Sequence, residues 1–227
     1  MKKIIGLDLG GTFIKIGVVD QKGNILSKKE VPTPQGQGRE KILEAMAESI
    51  DYFLQSYPKE EFLGIGIGTP GLVDRDGKVF LAPNLPGWDN INLKKIFEEK
   101  FSLPVKVEND VTAITWGEFK FGAGKGYDNI ICITLGTGLG GGVVLDGRPV
   151  RGTEYSAVEI GHMSICYSGP PCPCGSVGCI ERYVGAQYIV AMAREKLKEQ
   201  KSLITELVGG DMNKITPKVI AEAYHKG

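Results

Sequence analysis

Three cysteines fall within eight residues in Cys172-Pro-Cys174-Gly-Ser-Val-Gly-Cys179, and one of the chain's two histidines, His162, lies ten positions upstream. Three thiols and an imidazole are the donor set of a closed, four-coordinate zinc site, which leaves no position for an activated water and is therefore structural. The Cys-x-Cys step is tighter than common zinc-finger spacing, so spacing alone also admits a disulfide or unligated thiols. Cys172 and Cys174 stand too close in sequence to pair comfortably with each other. Cys132 and Cys166 lie in apolar runs and read as buried bystanders. His225, beside a lysine near the end of the chain, reads as exposed.

A second chemistry is written in glycines. Asp8-Leu-Gly10-Gly11-Thr12 and Gly136-Thr137-Gly138 each interrupt a run of strand-forming residues. Glycine lets backbone N–H groups approach a ligand closely, so two such bends facing each other would clamp a polyphosphate, with the threonine hydroxyls assisting. Each bend taken alone also reads as an ordinary tight turn. Gly6, Asp8, Gly10, Gly11 and Thr12, with Gly136, Thr137, Gly138, Gly140 and Gly141, are the candidate phosphate contacts. Asp8 aligns with Thr134, so one copy alone supplies a carboxylate, suited to Mg²⁺ held through water. Gly66 to Gly71 and Gly136 to Gly141 also match G-x-G-x-x-G, but neither opens a helix, as a dinucleotide site requires. Gly122-Ala-Gly124-Lys125-Gly126 lacks the spacing and the hydroxyl residue of a Walker loop.

The elements that must carry these residues can be read from periodicity. Residues 3–9 and 14–19 form a hairpin, with a third strand near 25–31. Residues 130–146 repeat the plan without a gap, Ile4 falling on Ile130, Leu9 on Leu135, Gly10 on Gly136 and Asp20 on Asp146. The chain thus reads as internally duplicated, although hairpins also resemble one another by chance. Ile42 to Leu54 has helical spacing, 62–67 and 105–107 are strands, and Asn109 caps a helix over 110–119. Further helices follow over 184–197 and 215–224. Trp88 and Trp116 read as core or rim packing. This is a mixed α/β order with two lobes, 1–120 and 121–227, meeting at a cleft. The second lobe looks incomplete, as though the chain were truncated.

Composition narrows the partners. The 227 residues carry 27 basic and 27 acidic side chains, so no basic excess points to nucleic acid. No apolar stretch reaches bilayer-spanning length, and the reading is cytoplasmic, with no membrane partner.

In order, Asp8-Leu-Gly10-Gly11-Thr12, Gly68-Thr-Pro-Gly71, Asn109-Asp110, Leu135-Gly-Thr-Gly-Leu-Gly-Gly141, Glu159-Ile-Gly-His162 and Cys172-x-Cys174-Gly-x-x-Gly-Cys179 resemble the motif series of the ROK family of sugar kinases and repressors, most of all its bacterial glucokinases. The resemblance runs from the first strand to the end of the chain. It implies an actin-like, ribonuclease-H-like two-lobed fold and ATP-dependent phosphorylation of glucose at the 6-hydroxyl. Asp110 would be the proton acceptor, and the helix N-terminus would favour its ionised form, lowering its basicity. Asn84, Asn109, Asp110, Glu159, His162 and Glu181 would form the sugar cradle. Local sequence alone would read Asn109-Asp110 as a helix cap and the two glutamates as surface charges. The resemblance also implies structural zinc on His162, Cys172, Cys174 and Cys179, Mg²⁺ with ATP, and a homodimer.

The open alternatives are a kinase for another hexose or N-acetylmannosamine, and a sugar-binding regulator without a DNA-binding domain, since the first strand at Lys3 leaves no room for one. ADP or polyphosphate could replace ATP as donor. The segments that complete the adenine pocket in the family would lie beyond residue 227, which puts the activity of this form in question. One residue departs from the pattern: Val158 stands where relatives usually have glycine.

Overall fold

Residues 1–82, 85, 87–200 and 202–227 are described in a computed structural model; the expectation for Asn84 lies outside them. Strict alternation writes the first sheet. Lys3–Leu9 (β1) and Phe13–Asp20 (β2) turn Ile5, Leu7, Leu9, Ile14, Ile16 and Val18 to one face, none more than 3% exposed. Ile25–Pro32 (β3) follows, and then Arg39–Ser56 (α1), whose Ile42, Met46, Ile50 and Phe53 are buried at helical spacing. Phe62–Thr69 (β4) returns to the sheet.

A small antiparallel sheet comes next, of Leu72–Val73 (β5), Lys78–Leu81 (β6) and Ile91–Asn92 (β7). Beside it Trp88 is fully buried and donates from Nε1 to Thr69 Oγ1 at 3.1 Å, the core role expected of it. Leu93–Phe101 (α2) has Asn92 as N-cap, accepting from the Lys95 N–H, and buries Leu93, Phe97 and Phe101. Val105–Asn109 (β8) leads directly into Asp110–Phe121 (α3).

The main sheet has the order β3-β2-β1-β4-β8. β1 pairs antiparallel with β2 and parallel with β4, and β4 pairs parallel with β8. One face is packed in the hydrophobic core with α1 and α2 residues. On the other face the register makes two rows, Gly17–Gly6–Gly66–Lys106 and Lys15–Asp8–Gly68–Glu108.

Ile130–Leu135 (β9), Leu139–Leu145 (β10) and Arg148–Pro149 (β11) form a second antiparallel sheet in the order β11-β10-β9. The two hairpins keep the offset of the sequence alignment, since strands end at Leu9 and Leu135 and resume at Phe13 and Leu139. The chain divides into two compact units, one of residues 1–131 and 142–158, the other of 132–141 and 159–227.

Within the second unit, a cysteine-bearing loop precedes Glu181–Val184 (α4) and Ala186–Leu197 (α5). Gly185 separates them, so the helix expected from Val184 starts two residues later. Leu203–Leu207 (α6) and Pro217–Lys226 (α7) follow, α7 opening with the Thr216 cap and Pro217 in its first turn. Arg194 on α5 donates to the Met212 and Asn213 carbonyls, tying α5 to the turn before α7. Cys132 and Cys166 are half-buried, not buried. Among the described residues no helix is long and apolar enough to cross a membrane.

Candidate active site and metal centre

Register places the first carboxylate. Asp8 faces away from the core, between Lys15 on β2 and Gly68 on β4. Strand β8 ends at Asn109 and α3 begins at Asp110, which brings Asp110 beside the same row: a Cβ on Gly68 would lie 3.6 Å from Asp110 Cα and 3.7 Å from Asp8 Oδ1. These groups line a cleft of about 1220 Å³ over the glycine-rich face, with Gly6, Lys15 and Gly66 in its floor and Ala113 and Trp116 of α3 in its wall. Gly6 is therefore a mid-strand floor residue on the Asp8 side of β1, outside the bend.

Asn109 is heavily committed. Its Oδ1 accepts from the Thr112 N–H at 3.1 Å and its Nδ2 donates to the Gly71 carbonyl at 3.1 Å, while the side chain also favours the ionised form of Asp110 by hydrogen bonding. Before it, Glu108 Oε2 takes both Nε and Nη2 of Arg151 at 2.6 Å, a half-buried pair that fixes the strand end carrying Asn109 and Asp110. Spacing could not reveal that pair, because its members lie 43 residues apart.

Burial pushes the Asp8 carboxyl above its ordinary pKa, against the opposing pull of Lys15. Asp110 is also raised, first by burial and further by the Asp8 charge, although the Val111 N–H at 2.9 Å favours its ionised form. The expectation that the helix N-terminus would make Asp110 less basic is thus reversed: desolvation outweighs the backbone donors.

The bend Gly10–Thr12 is closed by the Gly10 N–H donating to the Phe13 carbonyl at 3.0 Å and braced by Thr33, whose Oγ1 donates to the Gly10 carbonyl at 2.7 Å. A Cβ on Gly10 would lie 2.8 Å from the Phe13 oxygen, so the turn itself demands glycine there. In the second unit, the Gly136 N–H donates to the Gly138 carbonyl at 3.0 Å, and Gly136 has open space beside it. Gly138 differs: a Cβ there would overlap the Glu181 carboxylate, whose Oε2 accepts from the Leu139 N–H at 2.9 Å. Gly140 and Gly141 lie within β10, and the bare Cα of Gly141 is covered by Ile160.

Glu159 is exposed and precedes a short 3₁₀ turn, Ile160–His162, closed by the His162 N–H donating to the Glu159 carbonyl at 3.0 Å. The residue before it, Val158, has φ of 71°, a left-handed conformation that a β-branched side chain tolerates poorly. This gives the departure from glycine at that position a physical meaning.

Donor atoms of His162, Cys172, Cys174 and Cys179 all lie within 4.8 Å of one another. The Cys174 and Cys179 sulfurs are 3.7 Å apart, and Cys172 Sγ lies 3.6 Å from His162 Nδ1. Tetrahedral zinc, with Zn–S of about 2.3 Å and Zn–N of about 2.0–2.1 Å, requires edges of about 3.8 Å between sulfurs and about 3.6 Å between sulfur and nitrogen. The four side chains therefore fit such an ion, and the use of Nδ1 leaves Nε2 for another partner. Burial, followed by the neighbouring Cys172 and Cys174 thiols, pushes the Cys179 thiol up to about 11, so this ligand must lose a proton to bind metal.

The ROK family pattern matches residues 4–227. The chain belongs to the ROK family. It is 41% identical to the glucokinase of Streptomyces coelicolor over 98% of this chain and 70% of that protein. It is 32% identical to the xylose repressor of Caldicellulosiruptor bescii over 99% of this chain and 56% of the repressor. Among solved structures, a ROK family glucokinase from Streptomyces griseus in complex with glucose and AMPPNP superposes with a TM-score of 0.82 at 39% identity, over 99% of this chain and 72% of that one. The fold is the actin-like α/β fold of ROK proteins.

Proposed function

We propose that this ROK protein is an ATP-dependent sugar kinase that transfers the γ-phosphoryl group to the 6-hydroxyl of glucose. The kinase reading rests on the family and on its glucokinase relatives. The observation that carries it is Asp110, a half-buried carboxylate of raised proton affinity at the start of α3, beside Asp8. Such a group is suited to orient a sugar hydroxyl and take its proton as the bond to phosphorus forms. The ordinary helix-cap reading leaves the pairing with Asp8 unexplained.

The remaining roles are assigned from the same reading. Asn84, Asn109, Glu159, His162 and Glu181 hold the sugar's other hydroxyls, and the N–H groups and threonines of the two bends hold phosphate oxygens. Mg²⁺ arriving with ATP supplies charge neutralisation at the phosphates, and Asp8 is the residue that would hold it, through water. Structural zinc on the Cys₃His set would fix the loop between His162 and Glu181.

A regulator reading is favoured by the xylose repressor similarity. Sugar-dependent ADP formation separates the two. Glucose, mannose, fructose and N-acetylmannosamine are assayed with ATP, and then ADP or polyphosphate replaces ATP as donor. The proposal expects turnover with glucose and ATP. Saturable sugar binding with no turnover for any pair by the full-length protein would overturn it and support the regulator reading.

A further inference from the structure

Glu181 occupies a position that sugar binding alone does not explain. Its Oε2 accepts the Leu139 N–H at 2.9 Å, and the carboxylate fills the space that a side chain on Gly138 would take. Five residues on, the Ala186 N–H donates to the Gly136 carbonyl at 3.0 Å, so the segment from α4 to the start of α5 grips both ends of the Gly136–Leu139 bend. This segment is anchored from the other side by the metal loop. Cys179, two residues before Glu181, is one of the four metal-site donors and bridges Ser164, while the Ile180 N–H donates to the Met163 carbonyl at 2.9 Å. Gly161 closes the arrangement, since a Cβ there would overlap the Leu139 carbonyl and lie 3.6 Å from Glu181 Oε2.

We propose that Glu181 is a positioning residue for the phosphate bend Gly136–Leu139, carrying the register of the Cys₃His loop into that bend. A bend of four residues, two of them glycine, has little stiffness of its own. A charged acceptor on Leu139 N–H restrains it and holds the neighbouring N–H groups where phosphate oxygens can meet them. Gly138 is then glycine to admit Glu181, and the metal loop acts on phosphate binding as well as on the sugar side. The inference rests on the kinase reading for its nucleotide consequence, while the Glu181–bend coupling stands on geometry within one unit.

The test uses Glu181→Ala, Glu181→Gln, Gly138→Ala and the double variant Gly138→Ala/Glu181→Ala, with circular dichroism checking the fold. Two readouts are taken without sugar: amide hydrogen exchange at Leu139, and AMPPNP affinity by calorimetry. Losing a charge-assisted acceptor should speed Leu139 exchange by at least about tenfold and weaken AMPPNP by about five- to tenfold in Glu181→Ala. Glu181→Gln, whose amide oxygen can still accept, should recover most of both. Gly138→Ala should imitate Glu181→Ala by displacing the carboxylate, and should add little once that carboxylate is gone. Wild-type exchange at Leu139 in Glu181→Ala, or a Gly138→Ala effect undiminished in the double variant, would overturn the inference. If the full-length wild-type protein binds no AMPPNP, the ATP-donor reading fails, and the exchange results still decide the coupling.

Discussion

Asp8 and Asp110 approach each other at Gly68, where a single added carbon would touch both residues, at 3.7 Å and 3.6 Å. Two half-buried carboxylates in one neighbourhood resist ionising together, and Asp110 is raised in part by the charge of Asp8. Replacing Asp8 with Asn should therefore lower the Asp110 pKa while leaving it above that of a free aspartate, because burial remains its largest cause. A carbon-13 titration of the Asp110 carboxyl reads this directly. An unchanged or higher pKa in Asp8→Asn would show that the two charges do not interact.

The same shifts fix the sign of a stability effect. A carboxyl whose pKa is higher folded than unfolded disfavours the native state once it ionises, so the penalty is absent below the unfolded pKa, grows as pH rises, and is complete above the folded pKa. Asp8→Asn should raise the thermal midpoint at neutral pH and leave it unchanged in strong acid. A gain confined to acid would reverse the account of burial.

How much of this was legible beforehand depends on the range of the interaction. Strands β1, β2 and β4 announce themselves through Ile, Leu and Val alternation, and the hairpin duplication survives in the matched strand breaks after Leu9 and Leu135. Helix α2 is written in local sequence too: Asn92 as cap, then Leu93, Ile96, Phe97 and Phe101 at helical spacing. Glu181 could be named as a site residue, but its hold on Leu139, 42 positions away, exists only once the chain is folded. The basicity of Asp110 is hidden for the same reason. Local sequence displays the helix N-terminus and hides the burial that outweighs it.

Metal binding should be proton-linked. With Cys179 pushed up to about 11, at least one proton must leave the cluster when zinc enters near neutral pH. Calorimetry in buffers of different ionisation enthalpy should give a positive proton release, with affinity falling as pH is lowered. Cys174→Ser should weaken zinc binding strongly. Zinc affinity independent of both pH and Cys174 would remove the Cys₃His assignment.

Val158 offers a stabilising change. A left-handed backbone costs a non-glycine residue about 1–2 kcal/mol, of which glycine's unfolded-state freedom takes back about 0.5–1 kcal/mol. Val158→Gly, at φ of 71°, should gain the difference and raise the melting midpoint by about 2 °C. A lower midpoint would mean that packing by the valine side chain outweighs its backbone strain.

The central claim is that Asp110 takes the proton of a sugar hydroxyl during phosphoryl transfer. Asp110→Asn keeps the side chain's size and much of its hydrogen bonding while abolishing its basicity, so glucose binding and phosphoryl transfer should separate. Calorimetric glucose affinity should stay within about threefold of wild type, while glucose-dependent ADP formation falls by about 10²–10⁴-fold. Turnover unchanged in Asp110→Asn, with glucose still bound, would contradict the account.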